Sequence, residues 1–245
     1  MVTNIQKLSQ VAYKIFSRFY DNSGIALSRQ NVEQISSLMN NIKRQDVNFD
    51  ISKLSKTTDA PVSYIDIFED RIMTMAIFII REGCKIPLHD HPSMYGFCRV
   101  IHGTAKVKCY SDARNYESDP PQDITRNVRR YVRPLMKPLS LESDSCVTVD
   151  DPCCVITPDF GTYHEIQAIN GPVAFLDILA PSYDHESGSR TCQYYKEIEG
   201  QNQDQQYQGK AVKWFSFINQ PVEFWCEPEK YEGPSVTEVL SKLKA

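Results

Sequence analysis

The chain has 245 residues, 41% of them hydrophobic, with 27 Lys plus Arg against 31 Asp plus Glu and a formal net charge of −4. That length supports one sizeable core and hence a single domain over residues 1–245, while the lack of a basic excess argues against a general nucleic-acid binder. No stretch has the length of a membrane-spanning helix and no secretory apolar region opens the chain. The eight cysteines, none in Cys-x-x-Cys spacing, are therefore expected as reduced thiols in a reducing compartment, the cytoplasm; a monomer is the working expectation, though the sequence is silent on oligomeric state.

Residues 1–43 read as helical. Ile5, Leu8, Val11, Ala12, Ile15, Phe16 and Phe19 recur at three- and four-residue spacing, and Val32, Ile35, Leu38 and Ile42 form a second apolar stripe. Because Lys7, Lys14 and Arg18 precede the first acid, Asp21, the opening also fits an amphipathic mitochondrial transit segment; helices docked on the outside of a barrel are the favoured expectation.

From Val62 the pattern changes to short strands, predicted at Val62–Phe68, Ile72–Ile80, Met94–Ile101, Ala105–Cys109, Ser145–Val149, Cys153–Thr157, His164–Ala168 and Val173–Leu179. Even spacing broken by Gly, Pro and Asp indicates a sandwich or barrel. Gly103 and Asn170-Gly171 predict hairpins, since both tolerate positive φ. Adjacent Cys153 and Cys154 suit core packing better than zinc. Two loop insertions are expected, at 111–143, with Arg114, Arg126, Arg129, Arg130, Arg133 and Lys137, and at the polar run 199–210, which is expected to be mobile. Val212–Ile218 and Phe224–Cys226 resume strand character, and Val236–Leu243 reads as a closing helix.

The stretch Gly83-Cys84-Lys85-Ile86-Pro87-Leu88-His89-Asp90-His91-Pro92 carries the chemistry. In a strand, residues two apart share a face, so His89 and His91 aim at one point from Cβ atoms roughly 6–7 Å apart. Such a pair is half of a metal site, or a hydrogen-bonded surface pair. Among the other histidines, His164 has the best setting, after the turn Pro158-Asp159-Phe160-Gly161-Thr162-Tyr163. The spacing from Gly83 through His89 and His91 to Gly103 resembles the first cupin motif, and Pro158 to His164 resembles the second. Where the first motif expects glutamate the chain has Tyr95 or Gly96. A metal would therefore be held by His89, His91 and His164, three neutral ligands. Three imidazoles leave coordination positions open, as catalytic sites do, and suit Zn, Cu, Fe or Ni. With no carboxylate the ion keeps its full charge and favours an anionic ligand such as a thiolate.

Four further blocks follow in order: His89-Asp90-His91-Pro92-Ser93-Met94-Tyr95-Gly96, Phe175 through Asp177 to Asp184, Arg190-Thr191-Cys192-Gln193-Tyr194-Tyr195, and Phe224-Trp225-Cys226-Glu227-Pro228 with Tyr231-Glu232-Gly233-Pro234. Together they resemble the family of 2-aminoethanethiol (cysteamine) dioxygenases and plant cysteine oxidases. The resemblance implies a cupin barrel, mainly β, with N-terminal helices outside. It implies a non-haem Fe(2+) enzyme adding both atoms of O2 to cysteamine or to the N-terminal cysteine of a peptide or protein, giving a sulfinic acid that feeds oxygen-dependent N-degron degradation. Its metal ligands fall on His89, His91 and His164, and its buried acid and nearby tyrosine on Asp177 and Tyr183. The matching pair for a Cys-Tyr thioether is Cys192 and Tyr194, two apart and so on one face if extended. Ser93 and Ser182 stand where the family often has glycine and proline.

Alternatives remain open at this level: a Zn or Mn cupin hydrolase or isomerase, and a non-catalytic ligand-binding cupin. Asp177 also fits a strand-end cap, Tyr183 a packed phenol, and Cys192 with Tyr194 an ordinary thiol and phenol. His102 and His185 match no metal role. Free cysteine as substrate would need a cation beside the metal, for which the motif offers only Lys85 and Arg99. Both share the parity of His89 and His91, but Pro87 and Gly96 make that phase unreliable.

Overall fold

The structure is a computed structural model that describes residues 2–21, 26–53, 59–113, 120, 125, 135–199 and 206–244. Its described helices include α1 (Asn4–Asp21), α2 (Arg29–Asn40) and α3 (Thr237–Lys244), with short 3₁₀ turns at Arg44–Val47 and Ile51–Lys53. Thr3 and Gln6 cap the start of α1 reciprocally, each backbone N–H donating to the other's side chain, a capping box. Ser28 Oγ accepts from Asn31 N at 3.2 Å to start α2, a contact worth about 1 kcal/mol.

Among the described residues eleven strands form one sheet: β1 (Val62–Glu69), β2 (Thr74–Ile80), β3 (Lys85–Asp90), β4 (Tyr95–Asp112), β5 (Met136–Thr148), β6 (Cys154–Ile156), β7 (Tyr163–Ala180), β8 (Tyr194–Glu197), β9 (Gln206–Tyr207), β10 (Lys210–Ile218) and β11 (Cys226–Glu229). The order β7-β3-β8-β10-β5-β4 closes because β4 also pairs with β7, giving the expected cupin-type barrel. β2, β1 and β11 extend the sheet from β7, and β6 lies beside β4.

The expected docking of the N-terminal helices is observed. Ile5, Leu8, Ala12 and Phe16 of α1 and Ile35 and Met39 of α2 are buried in one cluster with Met75, Phe97 and Ile101 of the sheet. Burying each large side chain contributes about 1.5–3 kcal/mol. The rings of Phe16 and Phe97 lie 6.2 Å apart, and Tyr95 Oη accepts from Leu27 N at 3.0 Å. Tyr95, one of the two residues at the motif's glutamate position, thus serves helix docking.

Several local expectations are corrected. The hairpins at Gly103 and Asn170-Gly171 do not form: each point bends one long strand, and β4 pairs with β7 from Tyr95↔Ala180 to Tyr110↔Tyr163. Gly103 sits at φ 75°, where a Cβ would stand 2.2 Å from the Pro172 carbonyl oxygen, so only glycine permits the close approach. β5 begins at Met136 rather than near Ser145, leaving 113–135 between β4 and β5. The arginines 114, 126, 129, 130 and 133 lie outside the described residues. Within 199–210, the segment expected to be mobile, Gln206–Tyr207 pairs with Lys210–Ala211, and 200–205 lies outside the described residues. β8 was not anticipated. β11 begins two residues later than expected, because Phe224 N donates to Pro221 O at 3.1 Å in a turn.

Candidate metal centre

His89 sits near the end of β3, directly opposite His164 at the start of β7, and His91 follows β3, its backbone N–H bonded to Thr162 O at 2.9 Å. The three rings face one another nearly symmetrically, with centroids 4.8, 4.6 and 4.7 Å apart and planes 69°, 72° and 68° from parallel. All three are buried, with their candidate ligand atoms within 4.8 Å of one another. Among the described residues no carboxylate or thiol joins them.

Second contacts orient the rings. His89 Nδ1 lies 2.8 Å from Pro87 O; a carbonyl only accepts, so this nitrogen carries the proton and Nε2 keeps its lone pair. Tyr183 Oη donates to Asp90 O at 2.7 Å and lies 2.8 Å from His91 Nδ1. With its own proton spent on the carbonyl, the phenol accepts from Nδ1–H, and the lone pair of His91 also sits on Nε2. Burial lowers the pKa of His89 to about 4, and burial together with the neighbouring imidazoles holds His91 and His164 well below the usual histidine value. All three are therefore neutral, as ligands must be. His91 Nε2 and His164 Nε2 are 3.0 Å apart, the separation of two nitrogens bound at right angles about 2.1 Å from one ion. The donor set thus fits a metal ion with further coordination positions facing the cavity.

That cavity, about 380 Å³, is also lined by Asp177, Tyr183, Cys192 and Tyr194, so every site residue suggested by the sequence meets here. Burial raises Asp177 from the ordinary 3.8 to about 7. Cys192 is pushed up to about 11 by burial, although it bonds to both Tyr183 and Tyr194. Aromatic rings complete the walls: Phe78 stacks on Phe175 with centroids 5.5 Å apart, and Tyr194 meets Phe224 at 5.8 Å. His185 reaches the rim, whereas His102 lies in a separate cleft with Arg44 and Arg99.

Residues 31–236 match the PCO_ADO family model. The chain is 34% identical over 221 residues to mouse (Mus musculus) 2-aminoethanethiol dioxygenase, covering 84% of this chain and 85% of that protein. It belongs to this thiol dioxygenase family. Plant cysteine oxidase 2 of Arabidopsis thaliana is 28% identical over 201 residues, covering 80% of this chain and 67% of the plant protein. Among solved structures, a Klebsiella pneumoniae protein with a double-stranded β-helix domain is 14% identical with a TM-score of 0.37, over 60% of this chain and 88% of its own.

As in its named relatives, the activity is that of a dioxygenase. Residues missed in the sequence stand behind the histidines. Asp90 is buried with Oδ1 accepting from Gln193 N at 2.9 Å and Oδ2 from Tyr195 Oη at 2.8 Å. Lys137, expected in a loop, belongs to β5 and lies over the rings of Tyr163 and Tyr195 at 5.7 and 5.6 Å. Asp90 could have been suspected from its place between the histidines on the opposite parity; Tyr195 left no signal before β8 was known.

Proposed function

We propose that this dioxygenase holds iron(II) on the Nε2 atoms of His89, His91 and His164 and converts the thiol of cysteamine, or of the N-terminal cysteine of a peptide or protein, to a sulfinic acid. When bound, the ion would supply the Lewis acidity that deprotonates a thiol and the redox chemistry that couples it to O2. The observation that carries the substrate reading is the charge of the cavity: among the described residues its lining includes one carboxylate, Asp177, and no lysine or arginine. Lys85 is paired with Glu165 at 2.6 Å, and Arg99 lines the separate cleft, donating to Val149 O at 2.6 Å. Neither is available to a substrate carboxylate, which disfavours free cysteine.

Asp177 suits the amine. A carboxyl near pKa 7 loses its proton when an α-ammonium of pKa about 8 arrives, and the pair forms where water is scarce. Tyr183 holds the His91 ring and its tautomer, and the aromatic walls exclude water. The hydrogen bond between Cys192 and the Tyr194 hydroxyl supports the thioether the family resemblance suggests; a loss of two hydrogens in intact mass that vanishes in Cys192→Ser would reveal it. The same resemblance supports a role in which O2 sets the lifetime of substrate proteins through the arginine branch of the N-degron pathway. No described helix is long and apolar enough to cross a membrane. A single domain spanning 1–245 remains our proposal for the chain's organisation.

The test uses protein purified without oxygen. Near-stoichiometric iron is expected, with a mass gain of two oxygens on a Cys-initiated decapeptide and on cysteamine. Full activity with zinc alone, or faster oxidation of free cysteine than of both other substrates, would overturn the proposal.

A further inference from the structure

One wall of the cavity is formed by Gln220, Phe224 and Cys226, from the segment joining β10 to β11. Its shape is held by the Phe224 N–H on Pro221 O at 3.1 Å and by Gln220 Nε2 donating to Phe224 O at 2.8 Å. The turn thus fixed carries two large apolar side chains outward, Val222 at 94% exposure and Trp225 at 41%. A single exposed valine needs no explanation, but a tryptophan beside it, on a braced lip at a cavity mouth, forgoes burial that folding would reward. Tryptophan is also the side chain most enriched among residues that dominate binding interfaces.

Directly after the lip, Cys226 opens β11, which among the described residues pairs with β1 alone. Among the described residues no second strand lies along its other side at Cys226, the usual template for an added strand. Pro228 lacks an N–H, so the usable edge lies close to the mouth. Charge points the same way. Glu223 and Glu227 flank Trp225 in sequence, and the exposed Glu186 follows His185, which lines the cavity; among the described residues Arg190 is turned to Ser182 O at 2.7 Å and Lys230 lies past the end of β11.

We propose that this lip is the docking strip for the residues that follow the oxidisable cysteine. The occupant is an extended amino-terminal arm that leaves the cavity past Phe224, lays an apolar side chain on Val222 and Trp225, and adds its backbone to the edge of β11 at Cys226. Basic residues in the arm are favoured by Glu223 and Glu227. This deepens the substrate reading above and rests on it. Cysteamine has no arm, so the strip separates peptide substrates from the small thiol.

A fluorescently labelled Ser-initiated decapeptide, which has no thiol to oxidise, is titrated into the metal-free full chain and followed by anisotropy. Trp225→Ser and Val222→Ser are each expected to weaken binding, Trp225→Ser by about tenfold, a typical cost for a central aromatic contact. The ratio of kcat/KM for the Cys-initiated decapeptide over cysteamine should fall by a similar factor in the iron-loaded variants. Glu223→Lys combined with Glu227→Lys should invert a preference for lysine-bearing over glutamate-bearing arms. Because Val222, Glu223 and Trp225 are exposed and Glu227 is half-buried, melting temperatures near wild type are expected and verify folding. Unchanged affinity in both serine variants, or an equal loss for cysteamine, would overturn the docking strip. A Ser-peptide that binds through Trp225 while no thiol is ever oxidised would instead sink the dioxygenase reading and leave the strip standing.

Discussion

The two faces of β3 do opposite things with polar groups. One presents His89, followed by His91, to the cavity: neutral imidazoles whose donor atoms converge on space. The other presents Leu88 and Asp90 to a layer containing Tyr110, Tyr163, Tyr195 and Phe215, where each Asp90 oxygen has a donor. A buried carboxylate is tolerable when its lone pairs are used; a buried imidazole can keep its lone pair free because it carries no charge. The comparison teaches that the reactive face is assembled from groups left unsatisfied among themselves, and that the satisfied face holds them still.

The largest effect should come from the cavity face. His164→Ala is expected to abolish stoichiometric metal binding and lower turnover at least about a thousandfold, since a two-histidine remnant cannot enclose the ion; metal analysis beside steady-state rates checks it, and a variant keeping both would remove His164 from the ligand set.

Next comes Asp177→Asn, expected to reduce kcat/KM for the Cys-initiated peptide about a hundredfold by removing the ammonium partner. It also has a pH signature. Asp177 has a folded pKa of about 7 against an ordinary 3.8, so between those values the native state binds more protons than the unfolded one. Wild-type stability from this group is therefore present at low pH and is lost as pH rises from about 4 to 7. In Asp177→Asn that decline in melting temperature of the metal-free protein should flatten, and an unchanged slope would contradict it.

Tyr183→Phe lies between the faces, because its hydroxyl bridges Asp90 O and His91 Nδ1. Metal affinity should drop about 10–100-fold, the usual cost of losing a contact that orients a ligand, as read by competition with a chelator. Asp90→Asn, on the satisfied face, should cost about 1–3 kcal/mol of stability by denaturant unfolding, from a mismatched donor against Tyr195, with a smaller effect on metal affinity than Tyr183→Phe. The smallest effect is expected from Lys85→Met, whose surface pair with Glu165 is worth about 0–1 kcal/mol and whose loss should leave the peptide-to-cysteine preference within twofold.

Much of the site was legible because it is written in local spacing. His89 and His91 are two apart, and Cys192 and Tyr194 are two apart; period-two alternation needs no knowledge of the fold. The helical stripe Ile5, Leu8, Ala12 and Phe16 was equally plain at period 3.6, and all four are buried. Phase across a break was not legible. The register of β3 against β7 shifts between Ile86 and His89, so Ile86 and His89, of opposite parity, both line the cavity, while Lys85, of the same parity as His89, is exposed on Glu165. Likewise Arg99 follows Phe97 of the helix-facing cluster and points to a separate cleft.

The sequence by itself determined the type of most elements, β8 and the first half of β5 excepted, the docking stripe of α1 and α2, and the local chemistry of each half of the site, because these depend on periodicity and residue type within a few positions. Tertiary structure alone decided that β4 and β7 run on through Gly103 and Gly171 instead of turning back, that β8 sets Tyr194 opposite His89, and that the described lining of the cavity contains a carboxylate and no lysine or arginine. Each of those depends on pairing between residues far apart in the chain, as with His164 opposite His89, and such pairings are selected by the closure of the whole barrel, a condition that no short window of residues contains.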